Sequence, residues 1–250
     1  MTSFSWISIP KIAIVAALER ELAPLVKSWP SSKLTHEGRD FTFYEAEYAV
    51  VVCSGIGSDA ARRAAEAVIV EYSPQSVISA GVAGALVSDL HVGDTIFPVI
   101  VIDSQDGSRH ESGIHNAPMG QSSLGRTILA THPEIASAAQ KQQLAKSYGA
   151  HAVDMEAAAV ARAAEKHGLP FIAVKAISDD LNFEIPEMNR FIRNGQFQTR
   201  KFVLHVAVRP WLWLRVLLLA RNTRLASENL CAWLRESVLT NTIVPGARLE

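Results

Sequence analysis

Four short apolar runs constrain the fold of this chain more than any other feature: IAIVAA (residues 12–17), AVVVC (49–53), SVISA (76–80) and FIAVKAI (171–177). Each has the length of a strand, and none alternates cleanly between apolar and polar. Such runs read as strands covered on both faces. Helix-like segments lie between them. Residues 19–27 stop before Pro30, 59–72 stop at Ser73-Pro74, and 154–167 stop at Gly168 and Pro170. Residues 135–148 form a further helical stretch, 41–46 pair with 49–53 as a hairpin, and 94–102 add a strand. The polar, Gly/Ser/His-rich stretch 103–120 reads as a loop. Strands alternating with helices predict an α/β sandwich around a mainly parallel sheet. No repeat or linker interrupts the pattern. One domain is therefore expected over residues 1–250, with a core at 11–180 and a helical C-terminal region at 187–240.

Composition sets the outer bounds. With 48% hydrophobic and 20% charged residues, the chain has the make-up of an ordinary globular enzyme. Its net charge of −1 gives no sign of a nucleic-acid partner. The two cysteines, Cys53 and Cys231, form no metal or redox motif, which points to a reducing compartment. The histidines, His110 and His115 among them, lack ligand spacing, so no metal is implied. The apolar run at the N-terminus stops at Glu19 and has no basic start, unlike a signal peptide. A cytoplasmic location is expected, with peripheral membrane contact left open.

The turn SGIGSDA (54–60) follows a strand and opens a helix, and Gly55, Gly57 and Ala60 match G-x-G-x-x-A. A dinucleotide fingerprint also needs an acidic residue about 20 positions on, at the end of the next strand. That strand ends Ser79-Ala80-Gly81 without a carboxylate, so NAD is rejected. Glycines there would let a ligand approach the backbone, and amides at a helix start suit an anion or a hydroxyl. A plain tight turn explains the same residues. The stretch 152–180 carries more chemistry. Glu156 sits at a helix start among apolar neighbours, and the strand 171–177 delivers Ser178, Asp179 and Asp180 at its C-terminal end, where open α/β sheets bind ligands. A helix-dipole partner and an N-cap or turn residue are the alternative readings of Glu156 and Asp179.

AALEREL (16–22), SGIG (54–57), AGVAGAL (80–86), VGD (92–94), VDMEAAAVA (153–161) and KAISDD (175–180) occur in the order found in the nucleoside phosphorylase and methylthioadenosine nucleosidase superfamily, which the chain resembles over residues 11–180. GQFQTRKF (195–202) and RPWLWLRVLLLARN (209–222) resemble its hopanoid-associated branch, to which removal of adenine from adenosylhopane is ascribed. The resemblance implies a three-layer α/β/α sandwich with a mixed central sheet. It also implies cleavage of a purine–ribose bond through an oxocarbenium-like transition state. Asp179 matches the acid that protonates the purine, with Asp180 as the fallback. That role requires Asp179 to hold a proton near neutral pH. Glu156 matches the glutamate that binds the ribose hydroxyls, and Met155 would pack on the sugar. Glu21 matches the last acid of an A-x-E-x-E pattern, the residue that activates water in hydrolytic members. Glu19 keeps the first acid and Arg20 replaces the middle one. Ser54, Gly55 and Gly81 would line the side of the attacking water or phosphate.

Many phosphorylases of this superfamily carry an arginine where this chain has Ser79, and a hydroxyl residue where it has Val82. Those departures, together with Glu21, favour a nucleosidase. Inorganic phosphate as co-substrate stays open, and no other cofactor is implied. A homo-oligomer is implied, because partner loops often complete these sites. The loop 103–120 is short for the superfamily and would leave the pocket open to a long apolar substituent. Three readings therefore stand: an adenosylhopane-type nucleoside lyase, a methylthioadenosine/adenosylhomocysteine nucleosidase, and a non-catalytic purine-binding or membrane-associated protein on the same fold.

The region after the core is strongly basic. Residues 189–224 contain Arg190, Arg193, Arg200, Lys201, Arg209, Arg215, Arg221 and Arg224 and no Asp or Glu. Within it lie Trp211-Leu212-Trp213-Leu214 and the run 216–219, a segment (206–220) too short to span a bilayer, which takes about 20 apolar residues. A helix buried in the core or in a subunit interface is one reading. An interfacial segment on anionic lipid, with a lipid-linked nucleoside as substrate, is the other.

Overall fold

A computed structural model describes residues 11–113, 126–183, 187–193 and 195–239. Its centre is a mixed sheet of 11 strands with helices on both faces. Strand β1 (Ile12–Ala16) pairs in parallel with β4 (Ala49–Cys53) on one side and with β5 (Ser76–Ala85) on the other. Beyond β4 the sheet continues through antiparallel β3 (Arg39–Glu45) and β2 (Ser31–His36). The pairing of β3 with β4 is the expected hairpin. β2 escapes a reading by hydrophobicity because its SSKLTH sequence lies on an exposed edge.

β5 is the spine of the molecule. The sequence reading ended it at Gly81, but it runs on to Ala85, with both glycines inside the strand. Its outer half pairs with antiparallel β10 (Ala152–Asp154), and β11 (Phe171–Asp179) runs parallel along almost its whole length. β10 pairs with β9 (Thr127–Thr131), and β9 with β7 (Pro98–Asp103). The expected strand 94–102 is split at Phe97, because its first part, β6 (Thr95–Ile96), pairs with β11 while β7 pairs with β9. The expected loop 103–120 is not all loop. β8 (Arg109–Glu111) pairs with β7, and its buried His110 meets Glu165 at 2.9 Å. Residues 114–120 of that stretch lie outside the described residues.

Helices α2 (Ser58–Tyr72) and α4 (Ala157–Lys166) cover one face of the sheet. Their alanine-rich inner faces let them pack closely on β4, β5 and β11. Helix α1 (Glu19–Val26) covers the other face with the second half of α6 (Pro210–Leu239), which buries Ala226, Leu230, Cys231 and Leu234 there. α3 (Ala138–Tyr148) starts three residues later than the pattern predicts, because Ser137 and Gln140 close a capping box. α4 also starts three residues late, at Ala157, because Asp154 ends β10. After β11 come a 3-10 turn (Met188–Phe191), the small ribbon β12 (Ile192–Arg193) and β13 (Gln196–Phe197), and α5 (Thr199–Ala207). No helix among the described residues is long and apolar enough to cross a membrane.

Candidate active site

The C-terminal ends of β1, β4, β10 and β11 meet beside the second half of β5, and a cleft lined by its residues 79–84 opens there. Glu21, Ser54, Gly81, Met155, Glu156 and Asp179 all line it. Gly55 does not. Its amide donates to the Ala17 carbonyl at 2.8 Å.

The glycines of β5 exist to let carboxylates approach the strand. A Cβ on Gly84 would lie 2.8 Å from Asp179 Oδ2, and one on Gly81 would lie 3.1 Å from Glu21 Oε2. Asp179 reaches this position through a register shift between Ile177 and Asp179, a bulge that re-aims the end of β11. Its Oδ1 accepts from Ser178 Oγ at 2.7 Å and its Oδ2 accepts from Lys141 Nζ at 2.5 Å. Lys141 is buried in α3 and also donates to the carbonyls of Asp180 (2.6 Å) and Phe183 (3.2 Å). Asp180, the fallback acid, is therefore held through its backbone and is not a lining residue.

Glu156 caps α4. Its Oε1 accepts the Gly57 amide at 2.7 Å and its Oε2 the Met155 amide at 3.3 Å. Gly57 is itself the N-cap of α2, so the amide at that helix start is taken by a carboxyl group, the chain's own Glu156. The other amides of the glycine turn are taken as well. Ser54 donates to Ala16, Gly55 to Ala17, and Ile56 to Gly195. The turn thus presents no open anion cradle. The Ser54 hydroxyl is engaged with the carbonyls of Ala16 and Gly55.

Two buried lysines were missed by reading the sequence. Lys175 stands in the middle of β11, pairs with Asp154 Oδ2 at 2.9 Å and donates to Ser79 Oγ at 3.0 Å. A lysine inside an apolar strand was the available signal, since lysine is almost never buried without a partner. Lys141 left no such signal in the polar helix AAQKQQLAKSY. Asp154 is the hub beneath the cleft. Besides Lys175 it accepts from Thr131 Oγ1 at 2.7 Å and from the Ala157 amide at 2.9 Å, which locks the Asp154-Met155-Glu156 corner.

These surroundings set the carboxyl groups apart. Burial pushes Glu21 from 4.5 up to about 7, against the pull of Lys175. Burial and the negative charge of Asp154 also push Glu156 upward, against Lys175 and the Gly57 amide. A carboxyl poised near neutrality suits a general base. A hydrogen-bonded carboxylate next to it suits sugar hydroxyls and a developing positive charge. The cations lining the cleft are Lys141 and Lys175, each ion-paired, and Arg20 at the exposed rim. On the side towards α6 the walls turn apolar, with Phe183, Met188, Ile192, Phe197 and Leu219.

The sequence model of the phosphorylase superfamily matches residues 11–141 and 125–205. A 5′-methylthioadenosine/S-adenosylhomocysteine nucleosidase of Shewanella sp. (strain MR-7) is 28% identical over 210 residues, covering 70% of this chain and 86% of the relative. That of Shewanella piezotolerans is 28% identical over 207 residues, covering 69% and 87%. Among solved structures, the 5′-methylthioadenosine/S-adenosylhomocysteine nucleosidase of Neisseria meningitidis in complex with methylthio-immucillin-A superposes with a TM-score of 0.70 at 19% identity, covering 93% of this chain and 100% of that one. Futalosine hydrolase of Helicobacter pylori superposes with a TM-score of 0.61 at 20% identity, covering 91% and 98%. These structural likenesses extend the agreement in fold to nearly the whole chain.

Proposed function

Because the chain belongs to the phosphorylase superfamily, we propose that it cleaves the N-glycosidic bond of a purine nucleoside and releases adenine. The observation that carries this reading is the convergence of Glu21, Glu156 and Asp179 on one cleft, with β5 opened by glycine beside two of them. Breaking the bond leaves electron density on the base and positive charge on the sugar. Asp179 delivers a proton to the departing purine. Lys141 Nζ lies 2.5 Å from Asp179 Oδ2 and occupies that oxygen, so the contact must loosen as the base enters. Glu156 binds the ribose hydroxyls and faces the sugar's developing charge, with Met155 against the ring. Glu21 takes the proton of the attacking water.

Water is the nucleophile in this reading. The amides of the SGIG turn are already used, and the buried lysines are paired with Asp154 and Asp179, which leaves a phosphate dianion little to bind. The relatives named above as nucleosidases have the same chemistry in their names.

The substrate we favour is adenosine with a long apolar 5′ substituent, as in adenosylhopane. Its support is the apolar wall of Phe183, Met188, Ile192, Phe197 and Leu219 beyond the sugar site. A methylthioadenosine/adenosylhomocysteine nucleosidase fits the catalytic residues equally well and has the relatives' names on its side. Chromatographic adenine release from methylthioadenosine, S-adenosylhomocysteine and a 5′-long-alkyl adenosine, each with and without phosphate, tests both. A kcat/KM highest for the long-alkyl substrate and unchanged by phosphate supports the reading. Preference for the small thioethers assigns the alternative, and a requirement for phosphate removes Glu21 from its role.

A further inference from the structure

The wall that closes the cleft has a second side. In the first half of α6, Leu212, Val216, Leu219 and Thr223 turn inward, and Leu219 and Thr223 line the cleft. Between them, at helical spacing, Trp211, Leu214, Leu218 and Leu225 turn outward, with Leu217 beside them. Trp211 is 71% exposed, Leu214 68% and Leu217 67%. Val203 and Leu204 of α5, and Val208 at its C-terminal cap, are exposed too. Among the described residues, nine of the eleven exposed large hydrophobic side chains fall between Val203 and Leu225. The segment is therefore not a core helix, and one helix carries two apolar faces, only one of them covered.

We propose that the exposed face of α5 and the first half of α6 docks on an anionic lipid bilayer. Charge selects this occupant over a second copy of the chain. Arg200, Lys201 and Arg221 are exposed in and around the apolar patch, Arg224 beside it pairs with Glu228 at 2.8 Å, and residues 189–224 contain no acid. Arg221 lies on the same stripe as Leu214 and Leu218, seven and three residues on from them respectively. A symmetric pairing of this face with itself would set these cations against one another. Anionic headgroups would neutralise them while the leucines enter the acyl boundary and the tryptophans sit at headgroup level. The consequence for catalysis, which rests on the function proposed above, is positional. Leu219 and Thr223 are on the same helix as the docking face, so a docked enzyme holds its apolar cleft wall at the bilayer, where a lipid-linked nucleoside resides.

The test is flotation of the full chain with vesicles of phosphatidylglycerol and phosphatidylcholine, against pure phosphatidylcholine, at low and high salt. No turnover is needed, so its outcome is independent of the functional reading. Docking predicts co-flotation with the anionic vesicles only, weakened by salt. Trp211→Ser/Leu214→Ser/Leu217→Ser should lower partitioning by on the order of 100-fold with an unchanged melting temperature. Trp213 is left intact because its Nε1 donates to the Val206 carbonyl at 2.9 Å and joins α6 to α5. Arg200→Glu/Lys201→Glu/Arg221→Glu reverses the charge at the patch while leaving its leucines and tryptophans in place and should abolish flotation as well. Wild type that stays unbound with every vesicle overturns the proposal. So does a wild-type dimer that the triple serine variant converts to monomer, since the occupant is then a second copy.

Discussion

Replacing Glu21 with glutamine should make the protein more stable and nearly inactive, and the two effects can be read separately. Glu21 is 5% exposed, and burial moves its ionisation from 4.5 to about 7. The gap is about 2.5 pH units at about 1.4 kcal/mol each, so the charged form costs the fold about 3 kcal/mol. Below pH 4.5 the carboxyl is neutral in both folded and unfolded chains and no difference arises. Between 4.5 and about 7 the unfolded chain ionises first, so this group's contribution to stability falls as pH rises. Above about 7 the penalty is complete. Glutamine has no such titration. Urea unfolding of both proteins from about pH 4 to about pH 8 should show the stability difference moving towards the variant by about 3 kcal/mol. A constant offset from altered hydrogen bonding leaves that slope untouched. In parallel, wild-type kcat/KM should rise with pH through about 7 as Glu21 becomes a base, and the variant should lose 100- to 10,000-fold in turnover, on the order expected for a general base. A pH-independent stability difference would refute the buried ionisation. Retained turnover would refute the role as base.

Asp179→Asn keeps acceptor and donor positions for Lys141 and Ser178, so circular dichroism should be unchanged while adenine release falls by about 100- to 10,000-fold. An active variant would move the acid elsewhere. Glu156→Gln preserves an acceptor for the Gly57 amide but removes the ionisable carboxyl facing the sugar, so kcat should fall more than KM rises, most of all at alkaline pH where the wild-type group is charged. A change in KM alone would make Glu156 a uniform binder. Gly84→Ala puts a methyl 2.8 Å from Asp179 Oδ2, and displacing that carboxylate should cost on the order of 100-fold in kcat with a small change in melting temperature. Full activity would mean that the position of Asp179 is not critical.

What could be read from the sequence was whatever is buried on both faces. β1, β4 and β11 show as apolar runs because helices cover the sheet above and below them. β10, three residues long, shows as nothing, although it carries Asp154 to the cleft. The glycines of β5 were legible as a break in a strand and are in fact its continuation. Hydrophobic pattern cannot tell a glycine that ends a strand from one that admits a carboxylate, because the carboxylates, Glu21 and Asp179, come from distant parts of the chain. Glu156 and Asp179 were legible from their places at a helix start and a strand end, and the resemblance of the motifs added Glu21 and the roles of all three. Their electrostatic partners were not, because Lys141–Asp179 and Lys175–Asp154 are pairings across elements that sequence spacing does not encode. The tryptophan- and leucine-rich segment was legible as apolar, but only the packed structure shows which of its two faces is covered.

The central claim is that water attacks an adenine nucleoside with Glu21 as base and Asp179 as acid. The most direct measurement is turnover of methylthioadenosine and of a 5′-long-alkyl adenosine in oxygen-18 water with phosphate present, followed by mass spectrometry of both products. The account expects free adenine without label and a free 5′-substituted ribose carrying one labelled oxygen, with both products lost in Glu21→Gln and Asp179→Asn. A sugar phosphate, or no adenine from either substrate, would contradict it.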